Sequence, residues 1–461
     1  MATRAKVVIV GAGFGGIAAA KRLAGCDADI TLIDRRNYHL FQPLLYQVAT
    51  ADLSPANIAW PIRGLFTKAQ NVTIVLSEVT GIDKVNRKVS AGGRLYSYDF
   101  LILATGSSNF YFGHPEWEPR APGLKRIADA IELRKRILLA FEQAEIAEDA
   151  TEQRRLLNFV VIGGGPTGAE MAGSIADLAQ VALVRDFRRI DSKAARVVLV
   201  EAGERLLAGF SPDLSDYTRR CLEQLGVEVA LGQPVRSVDE TGVQIGETFI
   251  PTSTVIWAAG VKVEDLGPWL GIETDRSGRL AVGPDLSLPA DSSVFVVGDA
   301  AKVVWEGERL VPGLAPAAKQ EGRYAADVIR ARIDKRPPPP PFRYRHAGSL
   351  ATIGHNIAVV DWGKLRLKGR VAWWFWGIVH IYFLINARAA TLIMLQWSWA
   401  YLTRKKGARL ITGLRPLFAK TASDQSVQTI VQPSGAAVQT ARFQPERTLK
   451  QPAECPADEC A

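Results

Sequence analysis

Two glycine-rich turns, each followed at a distance by an acid, are the residues of this chain best suited to chemistry. Gly11, Gly13 and Gly16 follow the apolar run VVIV and open a helix of small residues, and Asp34 closes the next apolar run. In a strand, turn and helix of that spacing Gly11 makes the tight turn, Gly13 lets a pyrophosphate lie against bare backbone, and Gly16 brings helix close to strand. The helix N-terminus supplies unpaired amides and the positive end of the dipole, while Asp34 can accept ribose hydroxyl protons. The arrangement then repeats: FVVIGGGPTGAE supplies Gly163, Gly165 and Gly168, and VVLVEAG places Glu201 at the end of the next apolar run. Two such units in one chain are far more specific than one.

The elements that must position these residues are strands and helices in alternation. Leu101 to Gly106 (LILATG) and Val255 to Gly260 (VIWAAG) read as buried strands returning beneath the two nucleotide turns, and VFVVGD ends another with Asp299 at its carboxyl edge. Glu201 lies 33 residues past Gly168 instead of about 20. The charged stretch VRDFRRIDSKAA, residues 184–195, is read as a helical extension that accounts for the excess. An acid where a 2'-phosphate would otherwise sit favours NADH over NADPH. Ile127 to Ala150 reads as an amphipathic helix ending near a linker at Glu152–Arg155, and Ala315 to about Arg332 as another helix. Between Arg35 and Arg63 the chain is aromatic, apolar and broken by Pro43, Pro55 and Pro61, which suits a wall laid against a large flat ligand.

Composition removes other chemistries. The four cysteines, Cys26, Cys221, Cys455 and Cys460, are scattered, with no C-x-x-C pair after the first turn, and no His/Cys cluster has metal-binding spacing, so neither a dithiol relay nor a metal is expected. Arg4, Lys6 and the apolar run after them imitate a secretory leader, but cleavage would destroy the first motif, so the segment is expected to stay and the protein to be cytoplasmic. The economical chemistry for two dinucleotide folds is hydride transfer, with a flavin held in one and a nicotinamide nucleotide visiting the other. FAD is expected on the N-terminal fold, which Asp299 completes from a distance.

The net charge of +9 is local. Between Trp362 and Lys420 stand eleven basic residues and no acid, which leaves the rest of the chain at −2. Val371 to Leu402 is apolar and rich in tryptophan, but Arg388 cuts it, and the 17 residues of 371–387 fall short of the ~20 that a spanning helix needs. The expectation is an in-plane membrane helix, with Arg404, Lys405, Lys406 and Arg409 meeting anionic lipid. Five prolines, Pro337 to Pro341, mark a boundary, and residues 421–461 have the composition of a disordered tail.

With FQPLLYQVATADLSP, GGGPTGAE, VFVVGDAA, AKQEG, HIYFLINAR and KKGARLITG in this order, the chain resembles the type II NADH:quinone oxidoreductases from about Lys6 to Gly413. The resemblance implies an α/β fold with two Rossmann-like domains of the pyridine nucleotide-disulfide oxidoreductase type plus C-terminal membrane-binding helices. It implies electron transfer from NADH through FAD to a membrane quinone without proton pumping, monotopic attachment to the cytoplasmic side of the cell inner membrane, and a homodimer. Residue by residue, it places Gly11, Gly13, Gly16, Asp34, Ala104 and Asp299 on FAD, and Gly163, Gly165, Gly168 and Glu201 on NADH. Glu170 matches the family acid near the nicotinamide and flavin rings. The family's A-Q-x-A-x-Q quinone motif falls on Ala315 to Gln320 with Pro316 in place of the first glutamine; Lys319 and Gln320, with Tyr46 and Thr50, are the quinone residues that remain. The domains expected are residues 1–113 and 286–336 for FAD, 114–285 for NADH, 342–420 for the anchor and 421–461 for the tail. A sulfide:quinone oxidoreductase would need redox cysteines beside the flavin. A flavoprotein binding nucleic acid through its basic segment would need a more soluble groove than WWFWGIVHIYFLI offers, so no nucleic-acid partner is expected.

Overall fold

The computed structural model describes residues 4–305, 307, 309–384, 387–403 and 406–412. Arg404 and Lys405, the tail and its two cysteines lie outside them.

Two parallel sheets carry the two glycine-rich turns. In the first, the strands run in the order Asp291–Val296, Phe100–Leu103, Ala5–Val10, Ala28–Asp34 and Val72–Leu76, with Ser287–Leu288 antiparallel at the edge. Val7, Val8, Ile9 and Val10 are all buried because both faces are covered. Helices Phe14–Leu23 and Ala315–Ile333 lie together, so close that a Cβ on Gly322 would stand 2.2 Å from the Gly15 carbonyl oxygen. The antiparallel ribbon of Val79–Asp83, Lys88–Ala91 and Arg94–Ser97 adds Ile82, Val89 and Ala91 to the same core.

The second sheet repeats the plan in the order Val227–Leu231, Arg196–Glu201, Asn158–Ile162 and Thr254–Trp257, all parallel. In both sheets the strand before the glycines has its sequence successor on one side and a later strand on the other. That reversal opens a crevice at the carboxyl ends, where α/β sheets take ligands.

Two expected elements differ. The stretch 184–195 does not extend helix Pro166–Asp177, which ends through a wide turn at Leu178–Ala182. The Glu145 carboxylate accepts the amides of Arg188, Arg189 and Ile190, so these donors never enter a helical ladder. The Glu152–Arg155 linker is instead part of a helix, Ala150–Leu156, capped by the Asp149 carboxylate accepting from the Glu152 amide at 2.9 Å.

After the prolines, strands Ser349–Thr352, Ala358–Trp362 and Leu365–Lys368 form an antiparallel sheet. Helices Gly369–Phe383 and Ala387–Thr403 follow. Ala372, Trp376 and Ile393 are fully buried in one cluster with the core of the second nucleotide fold. Outward from them stand Val371, Trp374, Ile378 and Tyr382 on the first helix and Leu392, Leu395 and Trp399 on the second, all exposed. No helix among the described residues is long and apolar enough to cross a membrane. Two of the four basic residues expected to meet lipid, Lys406 and Arg409, depart from expectation. Lys406 pairs with Asp52 at 2.9 Å and Arg409 with Asp186, so both tie this segment to the body and are not free for lipid.

Candidate functional site

The first turn is built by close approach. At Gly11, φ is +98° and a Cβ would stand 2.3 Å from the Ala104 carbonyl oxygen; a Cβ on Gly16 would meet the Gly11 carbonyl oxygen at 1.8 Å. Gly13 has nothing within 4 Å of where its Cβ would be, which leaves the turn open for a phosphate. The Asp34 carboxylate accepts the Ala12 amide at 2.6 Å and the Arg36 amide at 2.7 Å. Each oxygen keeps a lone pair for a ribose hydroxyl.

Gly11, Ala12, Gly13, Asp34, Arg36 and Ala104, but not Gly16, line a cavity of about 940 Å³, at the upper end of the roughly 300–1,000 Å³ of small-molecule sites. Asp299 reaches it from the last strand of the first sheet, accepting the Ser107 hydroxyl at 2.5 Å, and Lys125 Nζ donates to that hydroxyl at 3.2 Å. Beneath Asp299, the buried Glu321 accepts the Gly298 amide at 2.5 Å, and its desolvation raises its pKa to about 8. A shape this long, with an open phosphate turn and a ribose acid at one end and a polar cluster along its floor, fits FAD.

The second turn has the same geometry. At Gly163, φ is +111° with Ala258 backbone 2.6 Å from a Cβ, and Gly168 meets the Gly163 oxygen at 1.8 Å. Glu201 accepts the amides of Gly164 at 2.5 Å and Gly203 at 2.7 Å. Gly163, Gly165, Gly168 and Glu201 stand outside the cavity. The helix they open sends Pro166, Thr167 and Glu170 into it. Glu170 lies in the second turn of that helix and is buried. Desolvation raises its pKa to about 8, opposed by the Thr352 amide donating at 3.3 Å.

The expected quinone residues divide. Tyr46 and Lys319 line the cavity, as does Pro316. Gln320 does not: its amide donates to the Arg345 carbonyl at 2.9 Å and accepts the Arg345 amide at 3.0 Å, tying its helix to the segment after the prolines. Thr50 is also off the wall, fully buried, with its hydroxyl donating to the Tyr46 carbonyl and to Asp52. Lys319 Nζ sits 5.2 Å from the Phe14 ring centre and 5.0 Å from that of Phe383, and desolvation lowers its pKa to about 8.

Sequence reasoning missed three wall residues. His380 faces the cavity with Nδ1 2.8 Å from the Trp376 carbonyl oxygen, and burial lowers its pKa to about 4. Lys125 and Ser107 carry no motif. Position after a returning strand was the one available signal for Ser107. Cys26 and Cys221 lie off the cavity with thiol pKa values raised by burial, unsuited to redox work beside a flavin.

The pyridine nucleotide-disulphide oxidoreductase family model matches residues 5–322. The type II NADH:quinone oxidoreductase Ndh of Mycobacterium tuberculosis is 41% identical over 449 residues, covering 94% of this chain and 96% of the relative. This chain belongs to the type II NADH:quinone oxidoreductases. A second family member from the same organism, NdhA, is 42% identical over 426 residues, covering 89% of this chain and 90% of its own. Among solved structures, NDH2 of Plasmodium falciparum in complex with NADH superposes with a TM-score of 0.81 at 22% identity, over 89% of this chain and all of that one. The sulfide:quinone oxidoreductase of Aquifex aeolicus shares the fold at 18% identity and a TM-score of 0.68, over 84% and 92% of the two chains.

Proposed function

We propose that this family member oxidises NADH and reduces a membrane quinone, with FAD resident in the 940 Å³ cavity. The observation that carries the reading is the convergence of the first turn, Asp299, Glu170 and an apolar wall on one cavity, while the second turn stands beside it. FAD supplies the hydride acceptor and the two-electron donor; the chain binds, orients and excludes water. In this reading Gly11, Gly13, Gly16, Asp34, Ala104 and Asp299 would hold FAD, and Gly163, Gly165, Gly168 and Glu201 would hold NADH, on the helix that carries Thr167 and Glu170 to the cavity wall. Tyr46, Lys319 and His380 border the quinone, and Glu170 holds the proton nearest the rings.

The exposed apolar faces of the two C-terminal helices support a monotopic seat on lipid. Tryptophan at a headgroup boundary and an in-plane helix that satisfies its own backbone both favour it. The cytoplasmic side rests on the family resemblance. A homodimer rests on the family resemblance and is tested by light scattering of the detergent-solubilised protein.

The deciding experiment follows NADH consumption by the purified yellow protein with menaquinone and ubiquinone analogues, with NADPH as control donor. Quinone-dependent oxidation of NADH is expected; colourless folded protein, or oxidation indifferent to quinone, overturns the reading. For the membrane seat, Trp374→Glu with Ile378→Glu leaves the buried face intact and is expected to abolish flotation with anionic vesicles. Deleting everything after Asp361 would instead uncover Ala372, Trp376 and Ile393 sites of the core and so cannot separate attachment from folding.

A further inference from the structure

Resting on that reading, the reaction has an unmet need. NADH, one proton and a quinone give NAD⁺ and quinol: the hydride brings two electrons and one proton, so the second proton comes from water. Glu170, at the wall of the main cavity, is itself buried.

Thr352, whose amide donates to Glu170, lines a second cavity of about 80 Å³. It is larger than the roughly 10–15 Å³ that one water requires in this measure. Its wall carries the titratable Asp52, Asp177, His355 and Lys406 with Ser174 and Gln47, beside the rings of Trp373, Trp376 and Trp397. The Asp52 and Lys406 side chains keep 25% and 11% of their exposure, so this end meets solvent. Tyr46 belongs to the walls of both cavities, and Thr352 lies on the inner one. Their hydroxyls are 2.8 Å apart, Gln47 Nε2 donates to the Tyr46 hydroxyl at 3.0 Å, and Trp397 Nε1 fixes Gln47 by donating to its Oε1 at 2.9 Å.

We propose that the small cavity is the proton inlet, carrying the solvent proton past Asp177 and across the paired Tyr46 and Thr352 hydroxyls to Glu170. A relay needs groups that exchange protons near neutral pH and hydroxyls that both donate and accept. Burial raises the pKa of Asp177, against the opposing pull of Lys406 and His355, and raises that of Glu170 to about 8, so Glu170 holds a proton readily at neutral pH. Tyr46 stays neutral, because burial and the nearby Glu170 raise its pKa well above the ordinary value. Gln47 and Trp397 are positioning residues that aim the Tyr46 hydroxyl.

The test uses flavin-loaded full-length protein with Asp177→Asn, which keeps shape, and Gln47→Leu, which unties Tyr46. In stopped flow, quinone-driven flavin reoxidation is expected to slow by about tenfold or more with a larger solvent deuterium isotope effect, while flavin reduction by NADH stays within about twofold. The second readout needs no turnover. Oxidised protein is moved from H₂O to D₂O, and the infrared carbonyl band of protonated Glu170, assigned by its loss in Glu170→Gln, is timed as it shifts; both variants are expected to delay it. Unaltered exchange and unaltered reoxidation in folded, yellow Asp177→Asn overturn the inlet, even if Gln47→Leu fails to fold. A wild type that never passes electrons to quinone defeats the proposed function, while band exchange still reads the inlet.

Discussion

The two glycine-rich turns are near copies in backbone and opposites in enclosure. Gly16 and Gly168 each press to 1.8 Å between a would-be Cβ and the carbonyl oxygen of the turn's first glycine, Gly11 or Gly163, and Asp34 and Glu201 each brace their turn by accepting a backbone amide. Yet Asp34 is buried at the cavity wall, whereas Glu201 is partly exposed and off it. In the proposed reading the same local device serves a group that stays and a group that comes and goes; what differs is how much of the chain closes over it. Asp299, Glu321 and helix Ala315–Ile333 return from far along the sequence to close the first turn.

The largest effect should come from breaking the turns one at a time. Gly16→Val and Gly168→Val make the same clash. Gly16→Val is expected to yield protein without flavin and activity down by about 10³ or more, and Gly168→Val to keep its yellow colour while kcat/KM for NADH falls by about 10². Flavin released on denaturation measures the first and steady-state kinetics the second. If both variants lose flavin, the two folds are one cooperative unit and the contrast in enclosure has no functional meaning.

Next comes Glu170, which the second fold contributes to the cavity of the first. Glu170→Gln is expected to slow quinone reduction by about 10². In the wild type the rate should fall as pH rises through about 8, where the donor proton is lost, and that limb should vanish in the variant. Stability carries the same signature. A carboxyl with a folded pKa above its unfolded one binds more protons in the native state between the two values. Its stabilising contribution is therefore complete at acid pH and is lost as pH rises toward 8. Glu170→Gln should then melt at a temperature nearer to, or above, the wild type at pH 8.5 than at pH 5, by calorimetry; a difference independent of pH would show that the carboxyl is ionised throughout.

A smaller effect separates the two acids. Glu201→Gln should narrow the preference for NADH over NADPH by about tenfold in kcat/KM, since a charge-assisted hydrogen bond contributes about 1.5–3 kcal/mol. Asp34→Asn should leave that ratio unchanged and weaken flavin retention instead. Equal changes in the ratio would mean that Glu201 acts on the whole fold and does not meet the ribose.

How far these sites could be read from sequence follows from what holds them. The turns were legible because glycine spacing and flanking apolar runs are local, and the backbone clash at Gly16 needs no knowledge of the rest. Strand order followed from the repeat. His380 and Lys125 were not legible as wall residues, because each reaches the cavity only through packing of distant segments: Trp376 anchors the helix of His380, and Asp299 faces Lys125 across the cavity floor. The stretch 184–195 has helix-forming composition, but Glu145 on another helix takes its amides, a long-range competitor that no periodicity reveals. The basic cluster misled in the same way: Lys406 and Arg409 have carboxylate partners in the body that charge counting alone does not show.

Gln320 gives the smallest effect and the sharpest check on that lesson. Its spacing in the motif pointed to quinone, but its side-chain amide closes a pair of hydrogen bonds with the Arg345 backbone and holds helix Ala315–Ile333 to the chain beyond the prolines. Gln320→Ala removes two bonds at a half-buried edge, which contribute about 0.5–1.5 kcal/mol each and shift the melting temperature by a few degrees. Flavin reduction by NADH and reoxidation by quinone should both stay within about twofold, because neither ring system meets this side chain. Lys319→Met, one residue earlier and on the cavity wall, should by contrast slow reoxidation alone. If Gln320→Ala slows reoxidation selectively and leaves melting unchanged, the quinone reaches past Lys319 to this position, and the enclosure ascribed to the first turn must extend to the far side of its helix.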